Sequence, residues 1–249
     1  MNAIRCHGPN CKGNSPLVRS HIIPKWGFRP LKAESSRLRT YLFEDRSYLR
    51  QCGEWDDRIL CEECENRLSA IDAFGEQVTS RIAAAVQSRP ITNRYRQEFM
   101  EIQFDELEGL DPIEIERFAV SVLWRASISN RPVVHDFSLA AIEGHLARHV
   151  YEAFEPGKFP CLLEWVDPDG DIDPQQFVWY PKQFDSPGGM KKTIFMAGGI
   201  TYHTFLTRPL MNDYMHRDGA PRSAMVISRR PFGSRGEYSA IEPWIRERY

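Results

Sequence analysis

The chain has 249 residues, 42% of them hydrophobic and 27% charged, with a net charge of −2. That is the balance of an ordinary soluble globular protein, with room for one large domain or two small ones. No run of about 18 apolar residues occurs, and the opening Met1-Asn2-Ala3-Ile4-Arg5 lacks the apolar stretch of a secretory signal. A cytoplasmic protein with no membrane partner is expected. The six cysteines then argue against a disulfide framework and for metal ligation.

Charge is distributed unevenly along the chain. From Lys12 to Arg50 there are nine Lys/Arg against three acids, a net of +6; from Gln51 to Glu76 there are eight acids against two Arg, a net of −6. A basic arm beside an acidic patch suits a protein that grips phosphates with one element and holds a divalent cation with the other. The same two stretches can also simply neutralise each other in the fold.

Taken in chain order, Cys6-His7-Gly8-Pro9-Asn10-Cys11 reads as a tight knuckle, and Pro16 to Ile23 as a β segment stopped by Pro24. Residues 27 to 57 are polar, aromatic and Arg-rich without a clean period, so a long loop or irregular arm is expected there. A helix starts near Cys61. Leu68, Ile71, Val78 and Ile82 mark its buried face and Pro90 ends it. Asp111-Pro112 opens a second helix with Ile115, Phe118, Val122 and Ala126 buried, ending near Asn130. A third is expected over 138 to 154, carrying the stripe Leu139, Ile142, Leu146 and Val150 with Ser138 as N-cap.

After Pro156-Gly157 the texture becomes β-type, with strands expected over 161–166, 177–180, 193–196, 200–207 and 224–228. The expected fold is thus α+β: an N-terminal module over 1–90, a helical region over 91–155 and an antiparallel β-rich region over 156–249.

Cys61-Glu62-Glu63-Cys64 at a helix start lets two thiolates reach one ion, because residues three apart share a helical face. Cys6 and Cys11 around Gly8-Pro9 can present two more, completing a four-sulfur structural zinc site. Cys52 could replace Cys6 or Cys11, whereas Cys161 in an apolar strand reads as an inert core residue.

Between the two cysteine pairs lies Ser20-His21-Ile22-Ile23-Pro24-Lys25. With the knuckle and Ile59-Leu60-Cys61-Glu62-Glu63-Cys64-Glu65-Asn66, this arrangement resembles the HNH (His-Asn-His) endonuclease family over residues 1 to about 75. The resemblance implies a zinc-stapled, treble-clef-like ββα-metal module that hydrolyses phosphodiester bonds in DNA. It implies His21 as general base on water, in keeping with an imidazole pKa near working pH. It implies a second, exchangeable Mg²⁺ or Mn²⁺ beside the first helical turn, held by Glu65 with Asp72 as a further possible ligand, and Lys25 or Arg29 steadying the phosphate. It also implies a bacterial or phage setting, with roles in restriction or defence.

The chain departs from the family at three places. Ser20 stands where an acid usually precedes the histidine, and Glu65 where His or Asn usually follows the second helical cysteine. The middle asparagine has Asp56 or Asp57 nearest by position. Glu65, Asp72 and Glu76 would fall along one helical face as a carboxylate row. For DNA, the expected surface is Lys25, Arg29, Lys32, Arg37 and Arg39, interleaved with Trp26, Phe28 and Tyr41 for base stacking.

The other signals point to structure. His145 and His149 are expected on an exposed helix face, Asp167 to Asp173 in a turn, and Gly188-Gly189 and Gly198-Gly199 in turns at strand edges. Trp124 and Arg125 are expected as core and salt-bridge residues. Two further readings remain: a zinc-binding nucleic-acid or protein adaptor that does not cut, and an activity carried by the C-terminal half. The oligomeric state is open.

Overall fold

The computed structural model describes residues 5–13, 15–32, 38–41, 47–50, 52–88, 93–97, 100–104, 111–152, 158–167, 173, 175, 177–186, 190–206 and 227–231. The first strand, β1 (Leu17–His21), ends three residues before Pro24, whose ring removes an N–H, and a 3-10 turn, Lys25–Phe28, leads into the single helical turn α1 (Arg29–Lys32). The stretch expected to be irregular contains a hairpin of β2 (Leu38–Tyr41) and β3 (Ser47–Arg50), followed by β4 (Trp55–Cys61). Four-residue strands are too short to print an alternation that stands out from their surroundings.

β4 pairs antiparallel with β1, Leu17 opposite Cys61 and His21 opposite Trp55, across an irregularity between Val18 and Ser20. The chain passes directly from β4 into α2 (Glu62–Ser88), which carries Glu62, Glu63 and Glu65 in its first turn, where the helix dipole favours acids. Leu68, Ile71, Val78 and Ile82 are buried as their spacing requires.

The stretch from 91 to 155 opens with an unforeseen hairpin, β5 (Asn93–Gln97) with β6 (Met100–Phe104). α3 (Pro112–Ile128) follows as expected: Asp111 caps it by accepting from Ile113 N, and Pro112 occupies the first turn, where no N–H is needed. The third expected helix is shorter than its apolar stripe suggests. The Leu139 N–H is taken by Ser127 Oγ at 2.8 Å and the chain makes a turn through Ile142 N to Leu139 O, so α4 (Glu143–Tyr151) begins after Ile142 and Ser138 is not its cap.

The C-terminal sheet contains β7 (Cys161–Asp167), β8 (Trp179–Ser186), β9 (Met190–Ala197), β10 (Ile200–Phe205) and β11 (Ile227–Pro231) in the order β11-β7-β10-β9-β8. It is antiparallel except at one edge, where β11 runs parallel to β7. Gly198 and Gly199, at φ 61° and 78°, make the tight β9–β10 turn that L-residues adopt poorly. Gly188-Gly189 and most of the acidic run after Asp167 lie outside the described residues.

A single buried cluster draws on the N-terminal, middle and C-terminal stretches, from Ile22 to Tyr202. Phe118 of α3 is its hub, with ring centroids 5.7 Å from Trp26, 5.4 Å from Tyr202 and 6.2 Å from Phe195. Gly75 of α2 admits this ring: a Cβ there would lie 2.5 Å from Phe118 Cδ2. The chain is therefore a mixed α and β protein with helices and antiparallel sheets. Among the described residues, no helix is long and apolar enough to cross a membrane.

Candidate metal centre and strand-end site

The two cysteine pairs meet because β1–β4 pairing carries the end of β4 alongside the knuckle. His7 N donates to Ile59 O at 2.9 Å and Glu62 N to Pro16 O at 3.1 Å, lacing the knuckle and the helix start onto the hairpin. Within the knuckle, Cys11 N donates to Gly8 O at 3.2 Å, Asn10 takes φ 57° and Gly13 φ 68°. Backbone N–H groups aim at sulfur: Gly8 N and Cys61 N at Cys6 Sγ, 3.3 and 3.2 Å, and Gly13 N at Cys11 Sγ, 3.3 Å. Such donors stabilise thiolates.

The sulfurs of Cys6, Cys11, Cys61 and Cys64 all lie within 4.8 Å of one another, and Cys11 Sγ is 3.5 Å from Cys61 Sγ. A tetrahedral ion with bonds of about 2.3 Å needs sulfurs about 3.8 Å apart, so this group could hold a metal ion such as zinc. Burial, then the crowding of the neighbouring thiols, pushes the Cys64 thiol far above its ordinary range; burial also raises Cys6. Burial opposes ionisation of Cys61 too, but hydrogen bonds from the Cys64 backbone and the adjacent thiols leave its pKa lowered. Four thiolates cannot share this space without a cation between them. Cys52 stands outside the group, and Cys161, half-buried against the core, has its thiol pushed up to about 12 by burial.

Beside this centre, Glu65 of the first α2 turn is half-buried. Burial raises its pKa, while Arg125, the Ser20 hydroxyl and Lys25 act to lower it and Asp72 to raise it. Ser20, the residue before His21, is fully buried at the end of β1. His21 itself is enclosed, with 7% of its surface exposed. Lys25 is exposed and close enough for its charge to act on Glu65.

The carboxylate row does not stand as a row of free acids. Arg125, fully enclosed, donates to both oxygens of Asp72 at 2.7 and 3.0 Å, which keeps it charged against burial and occupies the carboxylate. Glu76 pairs with Arg29 at the surface. Asp56 is also engaged: it accepts from Arg58 N and Ser129 Oγ, both at 2.9 Å, and from Asn130 N at 3.3 Å, which pins the end of α3 to β4. Asp57 pairs with Arg131 at 3.2 Å.

The expected stacking aromatics are corrected in part. Trp26 and Phe28 are 8% and 4% exposed; Trp26 packs on Phe118 and donates Nε1–H to Asp72 O at 2.9 Å, and Phe28 packs near Tyr180. The 3-10 turn points both inward, so neither is free to meet a base. Lys32 ends α1, Arg39 and Tyr41 lie in β2, and Arg37 lies outside the described residues.

His149, expected at an exposed face, is buried 3.4 Å from Glu116 and against the edge of Phe159, because α4 turns that side toward α3 and the segment before β7. His145 does face solvent.

Three features had no signal in the sequence. His203 Nε2 lies 2.9 Å from Glu164 in the C-terminal sheet, both buried. Glu116 joins distant pieces by accepting from Phe159 N at 2.6 Å. The guanidiniums of Arg19 and Arg131 lie over the Trp55 ring, at 4.4 and 5.1 Å from its centroid. Each joins residues from different elements, and no spacing rule links them.

Comparison with protein-family models, with curated proteins and with solved structures returned no match to this chain.

Proposed function

We propose that the N-terminal hairpin and α2 form a zinc-stapled ββα module of HNH type, and that the chain is a metal-dependent DNA endonuclease. The observation that carries this reading is the four-sulfur group at the junction of the β1–β4 hairpin and α2, beside which His21 ends β1 and half-buried Glu65 lies in the first turn of α2. Zinc suits the soft, all-thiol donor set and would be held by Cys6, Cys11, Cys61 and Cys64. For a divalent ion at the reacting phosphate, Glu65 fits, since its buried Oε2 has no hydrogen-bond partner among the described residues. Asp72 does not, because Arg125 engages both its oxygens. One carboxylate is enough for Mg²⁺ or Mn²⁺ when substrate phosphate completes the shell.

In this reading His21 accepts the proton of the attacking water, Glu65 holds the divalent ion, and exposed Lys25 steadies the phosphate. When bound, the ion supplies Lewis-acid stabilisation of the developing phosphate charge.

A second reading, a zinc-binding nucleic-acid or protein adaptor that does not cut, is favoured by the enclosure of His21 and by the Asp72–Arg125 pair. Supercoiled plasmid incubated with the protein and Mg²⁺, Mn²⁺ or EDTA separates the two. The enzyme gives nicking that requires the ion and disappears in His21→Ala; nucleic-acid binding without nicking under every condition establishes the adaptor instead.

A further inference from the structure

The basic arm foreseen from the sequence has its aromatics buried and Arg29 paired with Glu76. Positive charge without a carboxylate partner sits elsewhere on the same hairpin. Arg19 is exposed, lies over Trp55, and has no acid within ion-pair distance among the described residues. Arg58 of β4 is likewise exposed and has no side-chain ion pair among them. Arg131, arriving from the segment after α3, also lies over Trp55 but is balanced by Asp57 at 3.2 Å and by buried Asp56 at 3.8 Å.

Two guanidiniums gathered on one indole repel each other, and the two acids at this place are both engaged with Arg131. A guanidinium stacked on a ring keeps its N–H groups in its own plane, available at the edge. It has also lost much of its rotamer freedom before any ligand arrives. That is a receptor prepared for an anion presenting two oxygens to the guanidinium fork, as the non-bridging oxygens of a phosphodiester do. Its position adds direction: Trp55 is the register partner of His21, and directly opposed residues have Cβ atoms about 5 Å apart.

We propose that Arg19, held on Trp55 beside Arg131, with Arg58 further along β4, is a phosphate-gripping surface that lays the phosphodiester backbone of a nucleic acid along the His21 end of the hairpin. This rests on the nucleic-acid reading above and is independent of cleavage. Contact is through phosphate and carries no base sequence.

The test is fluorescence anisotropy of the full chain, zinc-loaded and with EDTA-free buffer lacking Mg²⁺ and Mn²⁺, with labelled 20-nucleotide single-stranded and duplex DNA over a salt series. Arg19→Ala is expected to weaken binding about tenfold at low salt and to reduce the salt slope by about one. Arg19→Lys is expected to keep the slope and recover part of the affinity, because the charge remains and the planar fork is lost. Lys191→Ala, exposed in β9 of the C-terminal sheet, is expected to bind as wild type, and an oligonucleotide with uncharged methylphosphonate linkages is expected not to bind. Thermal melting checks that each variant is folded; Arg19 is exposed, so its replacement leaves the core intact. If wild type binds but folded Arg19→Ala matches it in affinity and slope, this surface is overturned while the nucleic-acid reading stands. If wild type binds no nucleic acid even at low salt, both fall together.

Discussion

Replacing Gly8 with alanine tests whether the four thiols form one built site. A Cβ at Gly8 would lie 2.3 Å from Cys64 Sγ and 3.1 Å from Cys64 Cβ, against 3.4 Å for ordinary contact. The sulfur or the knuckle must therefore retreat by about 1 Å, whereas metal–ligand distances tolerate only about 0.2 Å. Structural zinc sites contribute about 10–16 kcal/mol over four ligands. Losing one ligand thus removes roughly 3 kcal/mol, more than a hundredfold in affinity.

All four cysteines remain in Gly8→Ala, so the variant separates geometry from thiol content. Zinc competition against a chromophoric chelator, and the Co²⁺ spectrum of a four-thiolate tetrahedron, report the change. Cys52→Ser, outside the group, is the control and should behave as wild type. Wild-type zinc affinity and an unchanged Co²⁺ spectrum in Gly8→Ala would refute the four-sulfur site as described.

Three further outcomes are expected. Asp72→Ala strands the enclosed Arg125 charge and should lower the unfolding free energy by about 3–5 kcal/mol in urea titration; a loss under about 1 kcal/mol would show that the pair is not structural. Glu65→Gln should raise the melting temperature at pH 7. The folded pKa of Glu65 is raised by burial, so above that pKa the ionised carboxylate destabilises the native state relative to the unfolded chain. The gain should vanish below the unfolded value of about 4.3, where both states are protonated; an equal gain at pH 3.5 and pH 7 would contradict this. Asp56→Ala removes the acceptor of three hydrogen bonds and should cost about 2–3 kcal/mol in the same titration. A catalytic rather than structural Asp56 would instead leave the urea midpoint in place.

Several features were legible without coordinates because they depend on covalent neighbours. Cys61 and Cys64 do converge as their spacing suggests, though Cys61 ends β4 and only Cys64 lies in α2, so they meet across a strand–helix junction rather than on one helix face; Pro24 follows the end of β1, and Asp111-Pro112 with the stripe from Ile115 to Ala126 announces α3 and its buried side. Arg125 as a buried salt-bridge residue was also foreseeable from its place among apolar neighbours, though not its partner.

What escaped was decided by packing between elements. Trp26 and Phe28 read as a stacking arm because they alternate with Arg and Lys, but the turn after Pro24 folds them under Phe118 and Tyr180. The reading of Asp72 depended on the helix face it shares with Glu65, and α3 then laid Arg125 across it. The parallel edge of the C-terminal sheet and the Arg19–Trp55–Arg131 group likewise have no local signature.

Helical period, proline stops and cysteine spacing act within a few bonds, so the chain alone determines where ligands and buried faces can occur. Which charge meets which, and which aromatic remains in reach of a partner, depends on elements brought together from distant positions. Those choices are made by mutual burial and existed only once the tertiary structure had formed.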